Sequence, residues 1–163
     1  LPTERYYEEE GRAELTPRDF GILMHRVFEN AATTDEIYTA IEAMTQDGVL
    51  DEKEAPRLRE LVEKALADPV TAEWFGGRWQ VVRNENEIIL PGSGTTRRPD
   101  RVMTDGERAV VVDYKFGDRE TARHRKQIRE YLRLLRQMGY TRTEGYLWYV
   151  RLGRTERVEE KED

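Results

Sequence analysis

Arg97-Arg98-Pro99-Asp100-Arg101-Val102-Met103 and Val110-Val111-Val112-Asp113-Tyr114-Lys115, on either side of Asp105-Gly106, form the stretch that decides the fold of this chain. An Asp-Gly pair between two extended, β-branched runs is the strongest short-range signal for a hairpin. A two-residue loop at Asp105-Gly106 predicts that Asp100 faces Val111. Side chains alternate along a strand, so Val111, Asp113 and Lys115 share one face, and Asp100 joins it diagonally from Asp113, at about 7 to 8 Å between backbone positions. A four-residue loop keeps this parity, whereas a three-residue loop would send the two acids to opposite faces.

Val110-Val111-Val112 reads as a strand apolar on both faces, central in a covered sheet, so an acid at its end needs compensation. A second carboxylate nearby adds repulsion unless a divalent cation lies between them. Magnesium suits such a pair, because it takes oxygen ligands, uses one or two carboxylates and keeps positions for water and phosphate oxygen. Lys115 places a positive charge on the same face, where it steadies an attacking water or the negative charge developing on a phosphate. Read without its neighbours, Asp113-x-Lys115 is also compatible with an ion-paired strand end in solvent, with Asp100 as part of a Pro-Asp turn.

At 163 residues and 37% hydrophobic content the chain suits one domain with a real core. Cysteine is absent, which excludes disulfides, zinc-thiolate sites and iron-sulfur clusters. Nothing reads as a signal peptide or a membrane span, so the expected location is cytoplasmic, with no membrane partner. The chain opens Leu1-Pro2 without an initiator Met, and the expectation is a segment of something larger.

Residues 16–76 read as helices. Thr16-Pro17 with Asp19 starts the first, along which Phe20, Leu23, Met24, Val27 and Phe28 recur at helical spacing. Thr33 and Glu36 form a capping box ahead of Ile37, Ala40, Ile41 and Met44, and Gly48 closes that helix. Leu58, Leu61, Val62, Ala65 and Leu66 mark a third, and Asp68-Pro69 opens a short fourth that runs to Trp74-Phe75 before Gly76-Gly77.

Residues 78–151 switch to a period of two. Arg78–Arg83 and Glu87–Leu90 read as strands ahead of the hairpin, and a helix from about Glu120 to Met138 turns Ile128, Tyr131, Leu132 and Leu135 inward. Gly145-Tyr146-Leu147-Trp148-Tyr149-Val150 makes a last strand, and residues 152–163 a charged tail expected to fray. The order predicts an α/β (α+β) domain: a mixed central sheet flanked by helices, behind an N-terminal helical segment.

The net charge of -6 argues against a nucleic-acid partner, but its distribution argues for one. Arg119, Arg123, Arg125, Lys126, Arg129, Arg133 and Arg136 meet only Glu120 and Glu130 along one helix. Such a helix is either a solvated face or, beside a metal-phosphate site, a track for a nucleic-acid backbone, with Arg123, Lys126 and Arg129 as candidate DNA contacts.

Four motifs in order resemble the PD-(D/E)xK nuclease domains at the C-terminus of RecB- and AddA-type helicase-nucleases, attached there to a UvrD/Rep-like motor. They are Gly21-Ile22-Leu23-Met24-His25 on a helix, Pro99-Asp100-Arg101, Asp113-Tyr114-Lys115 after an apolar strand, and Gln127-Ile128-Arg129-Glu130-Tyr131 on the next helix. The resemblance implies a restriction-endonuclease-like core. It also implies that His25, Asp100, Asp113 and the backbone carbonyl of Tyr114 bind Mg2+, with Mn2+ able to substitute. Lys115 would then orient or activate water, Gln127 and Tyr131 brace the site or contact DNA, and Glu85 matches an auxiliary acid. His124 has no counterpart and reads as solvated.

The lack of cysteines matches the cluster-free branch of that family, and the lack of Gly-x-x-x-x-Gly-Lys-Ser/Thr leaves any ATP-driven motor to another part of the chain or another subunit. The implied activity is exodeoxyribonuclease-type hydrolysis of DNA, single strands above all, alongside a helicase in bacterial end processing and recombinational repair. Two rivals remain at this level: a catalytically silent module that binds single-stranded DNA or docks helicase subunits, and a structural domain with no nucleic acid.

Overall fold

In the computed structural model, which describes residues 6–7, 13–14, 17–84, 88–89, 96–97, 99–115 and 121–161, helices lead and a sheet follows. A ribbon of β1 (Tyr6–Tyr7) and β2 (Ala13–Glu14) precedes α1 (Pro17–Phe28), α2 (Thr34–Gln46), α3 (Glu54–Ala65) and α4 (Pro69–Trp74). Thr16 and the side chain of Phe20 lie outside the described residues. Thr33 caps α2 by accepting the Glu36 N–H at 3.3 Å, while the Glu36 carboxylate accepts the Ala32 N–H at 2.6 Å. A second box, which the sequence reading missed, starts α3: Asp51 accepts the Glu54 N–H at 2.7 Å and Glu54 accepts the Asp51 N–H at 3.1 Å. Asp68 caps α4 by accepting the Val70 N–H, with Pro69 in the first turn.

The strands are β3 (Val81–Asn84), β4 (Ile88–Ile89), β5 (Thr96–Arg97), β6 (Arg101–Asp105), β7 (Arg108–Lys115), β8 (Arg142–Tyr149) and β9 (Arg154–Val158), with α5 (Thr121–Gln137) between β7 and β8. Five of them form a mixed sheet in the order β3-β6-β7-β8-β9, in which β7 and β8 run parallel and the other pairs antiparallel. A parallel pair needs a crossover, and α5 provides it.

Two expectations need correcting. Ile88 and Ile89 pair with Arg97 and Thr96 in a ribbon of their own and do not join the central sheet, since closing a short loop costs less entropy than reaching the sheet. Residues beyond Gly153 were expected to fray, yet Arg154–Val158 form the fifth strand. Val158 is buried against Ile128, Leu132, Leu147 and Tyr149, and Glu156 and Glu160 pair with Arg125 and Arg136 of α5.

β7 is covered on both faces, as its valine run requires. Met103, Val110, Val112, Tyr114, Trp148 and Val150 pack against the apolar faces of the four N-terminal helices. On the opposite face Tyr131 and Leu135 of α5 cover Val102, Ala109 and Val111, while Ile128 and Leu132 cover Leu147 and Tyr149. α5 sits so close over β8 that a Cβ at position 145 would overlap the Ile128 side chain, which explains the glycine there.

Candidate active site

The hairpin closes through Gly106-Glu107, with Gly106 at φ +60° in the first loop position, where a glycine is readily accommodated. Asp105 therefore pairs with Arg108, Val102 with Val111 and Arg101 with Val112. This corrects the expected register. Val111 faces Val102 and not Asp100, and Asp100, one residue beyond the last ladder pair Arg101–Val112, meets Asp113 through hydrogen bonds between side chain and backbone. The loop keeps an even length, so the parity argument survives.

The two acids brace each other through the backbone. Asp113 accepts the Asp100 N–H on Oδ1 at 3.2 Å, and Asp100 accepts the Tyr114 N–H on Oδ2 at 2.7 Å. Asp113 and Lys115 are both 5% exposed, next-but-one on a strand and hence on one face. Burial, followed by the nearby Asp100 charge, pushes the Asp113 carboxyl up to about 7. A buried carboxylate beside a second one holds its proton unless a cation replaces it.

His25 reaches the pair from α1. Its Nε2 lies 3.5 Å from Asp100 Oδ1, and its Nδ1 lies 4.0 Å from a Glu29 carboxylate oxygen one turn on. The Glu29 contact is longer than a hydrogen bond, so it adds negative charge near the ring without fixing its orientation. The donor set of one imidazole and two carboxylates fits a hard divalent cation. As the side chains stand, Asp100 Oδ2 and Asp113 Oδ1 are engaged by backbone amides, and among the described residues no group of three or more His, Cys, Asp or Glu side chains is gathered as a metal-binding cluster.

Tyr114 turns its ring to the other face of the sheet, against Phe28 and Trp148, and contributes only its backbone on the side of the acids. Tyr131 is buried on Val102 and Val111, the face that Asp113 shares. Gln127 is half-buried one turn earlier on α5. Arg123 and Lys126 are exposed and Arg129 is half-buried, whereas Arg125 and Arg136 are engaged by acids of β9 and its C-terminal flank. Glu85 lies outside the described residues.

One residue at the site was not singled out from sequence. Arg101, next to Asp100, is fully buried on the helical face, where its guanidinium donates to the Ala31, Ala32 and Trp74 carbonyls and to Asn84 Oδ1. The available signal was its alternation with Met103, which puts an arginine on an apolar face.

A mixed five-strand sheet between helices, with paired acids and a lysine at the end of its central hairpin, defines an α/β domain consistent with a restriction-endonuclease-like core. The chain matches the PD-(D/E)XK nuclease superfamily over residues 3–163, and it belongs to that superfamily. Membership implies DNA as the partner. No individual curated protein matches the chain. Among the described residues no helix is long and apolar enough to cross a membrane.

Proposed function

We propose that this chain is a divalent-metal-dependent deoxyribonuclease domain of the RecB/AddA type, and the observation that carries the reading is the cross-braced Asp100–Asp113 pair with Lys115 on the same buried face. Mg2+, or Mn2+ in its place, would be held by Asp100, Asp113, His25 and the Tyr114 carbonyl, and when bound it neutralises phosphate charge and makes water a better nucleophile. Lys115 orients the attacking water and meets negative charge growing on the phosphate oxygens. Water oxygen bonds to phosphorus and gives up one proton to solvent, the opposite phosphorus–oxygen bond breaks, and the leaving alkoxide takes a proton from solvent. Phosphoryl transfer of this kind needs positioning and charge neutralisation, with no covalent nucleophile from the protein. Tyr131 and Gln127 brace the site through α5, Glu85 serves as the auxiliary acid, and Arg123, Lys126 and Arg129 run along the DNA backbone.

The wider reading is exonucleolytic digestion of single strands delivered by helicase motor domains, in the same polypeptide or in a partner subunit, during DNA end processing and recombinational repair in the bacterial cytoplasm. Residues 1–163 act as one nuclease domain at the C-terminal end of that larger machine, without ATP or an iron-sulfur cluster of their own. Cleavage of end-labelled single-stranded DNA in Mg2+ and Mn2+ tests this. Asp113→Ala and Lys115→Ala are each expected to abolish cleavage while circular dichroism stays native. Retained cleavage by either variant would defeat the mechanism, and a wild-type domain that binds single strands but never cuts them would establish the silent module.

A further inference from the structure

We infer that Arg101 is a positioning residue that holds His25 against Asp100, an inference that rests on the metal-site reading above. Its guanidinium joins three parts of the chain. Nη1 donates to Ala31 O at 2.5 Å and to Asn84 Oδ1 at 3.2 Å, and Nη2 donates to Ala32 O at 2.8 Å and Trp74 O at 2.7 Å. The Phe75 ring lies beneath it, with Cζ 3.9 Å from the centroid. A fully buried cation is costly unless its donors are satisfied; here both Nη atoms are engaged while Nε is buried without a hydrogen-bond partner among the described residues, and the carbonyls at helix ends need donors in turn.

Those partners lead directly to His25. Ala31 and Ala32 follow the end of α1, and the turn between is continuous in hydrogen bonds: the Glu29 N–H donates to His25 O at 2.9 Å and the Ala31 N–H to Phe28 O at 3.2 Å. Arg101 grips the far end of that turn from β6, whose preceding residue is Asp100. Asn84 of β3 reinforces the grip by donating its side-chain amide to Ala31 O at 3.3 Å. Trp74 O ends α4, and the Phe75 carbonyl beside it takes the Thr34 N–H at 3.0 Å, so the start of α2 is anchored in the same place. The imidazole and the carboxylate come from elements distant in sequence, and this guanidinium is the shared anchor that sets their separation. Lysine cannot replace it, because an ammonium lacks the planar fork that serves three carbonyls in different directions.

Mn2+ affinity, measured by calorimetry on wild type, His25→Ala, Arg101→Lys and the double variant, tests the inference, with near-ultraviolet circular dichroism of the Trp74/Trp148 cluster reporting folding. Arg101→Lys is expected to weaken Mn2+ binding about 10-fold, as loss of a residue orienting a ligand does. His25→Ala is expected to cost affinity in wild type but little in the Arg101→Lys background. Should Arg101→Lys fail to fold, the same cycle is run with Asn84→Ala, which removes one partner of the guanidinium and one donor to Ala31 O; a smaller coupling of the same sign is expected. An undiminished His25→Ala effect in either background, with Mn2+ still bound, overturns the role of Arg101 alone. A folded wild-type domain that takes up no Mn2+ overturns the metal-site reading and this inference together.

Discussion

Asp113→Asn, without metal, should stabilise the domain progressively as pH rises. Asn keeps the shape of the side chain and an oxygen to accept the Asp100 N–H, but removes the titrating group from a site that is 5% exposed and faces Asp100. The wild-type carboxyl ionises near its ordinary value, 3.8, in the unfolded chain and near 7 in the folded one. Between those values the folded state binds more protons than the unfolded state, so wild-type stability falls as pH rises and levels off above about 7. Each pH step of one costs about 1.4 kcal/mol until the folded-state value is reached, so from about pH 5 to 7 the wild type should lose about 2 kcal/mol that the variant retains. Proton sharing with Asp100 spreads that loss over a wider pH range. Urea unfolding in a chelator at about pH 5 and pH 8 measures it. The stability of Asp113→Asn relative to wild type should rise by about 2 to 3 kcal/mol between the two conditions. A difference that does not change with pH would refute the claim that the two acids repel in a buried setting, and with it the main physical reason for a cation there.

Further outcomes follow from the packing and the charges. Gly145→Ala should destabilise the domain by about 1 to 3 kcal/mol in urea unfolding, because the added methyl meets Ile128 and Leu132 where α5 passes over β8. Asp51→Ala should cost about 1 kcal/mol in the same assay, through loss of the acceptor that starts α3. Arg123→Glu with Lys126→Glu should weaken single-stranded DNA binding and flatten its dependence on salt, measured by fluorescence anisotropy across a salt series, while Arg125→Ala should change the salt slope little because Glu156 already neutralises that side chain.

The helical half followed its local signals closely. Thr33 and Asp68 cap where a capping residue precedes an apolar period, and α5 ends at Gln137 just before Gly139 at φ +108°. Such signals act within a few residues and need no tertiary partner. The tail was misjudged for the opposite reason. Arg154–Val158 is charged and short, and only α5 and β8 make it a strand by burying Val158 and pairing Glu156 and Glu160 with Arg125 and Arg136. The run from Arg119 to Arg136 reads from sequence as a basic helix; Arg119 lies outside the described residues, and Arg125 and Arg136 are paired by acids that arrive from the end of the chain.

At the candidate site the same division holds. That Asp113 and Lys115 share a face was determined by the sequence alone, because alternation along a strand is a property of the backbone, whereas Asp100 joins them on that side because the loop has an even length. That Asp100 meets Asp113 and not Val111 depended on whether Gly106 stands first or second in the turn, a choice left to the pairing of the whole strand. The approach of His25 and the partners of Arg101 were decided only by tertiary structure: alternation with Met103 sets the face on which Arg101 lies, but the carbonyls of Ala31, Ala32 and Trp74 that its guanidinium collects come from segments too far apart for local periodicity to name.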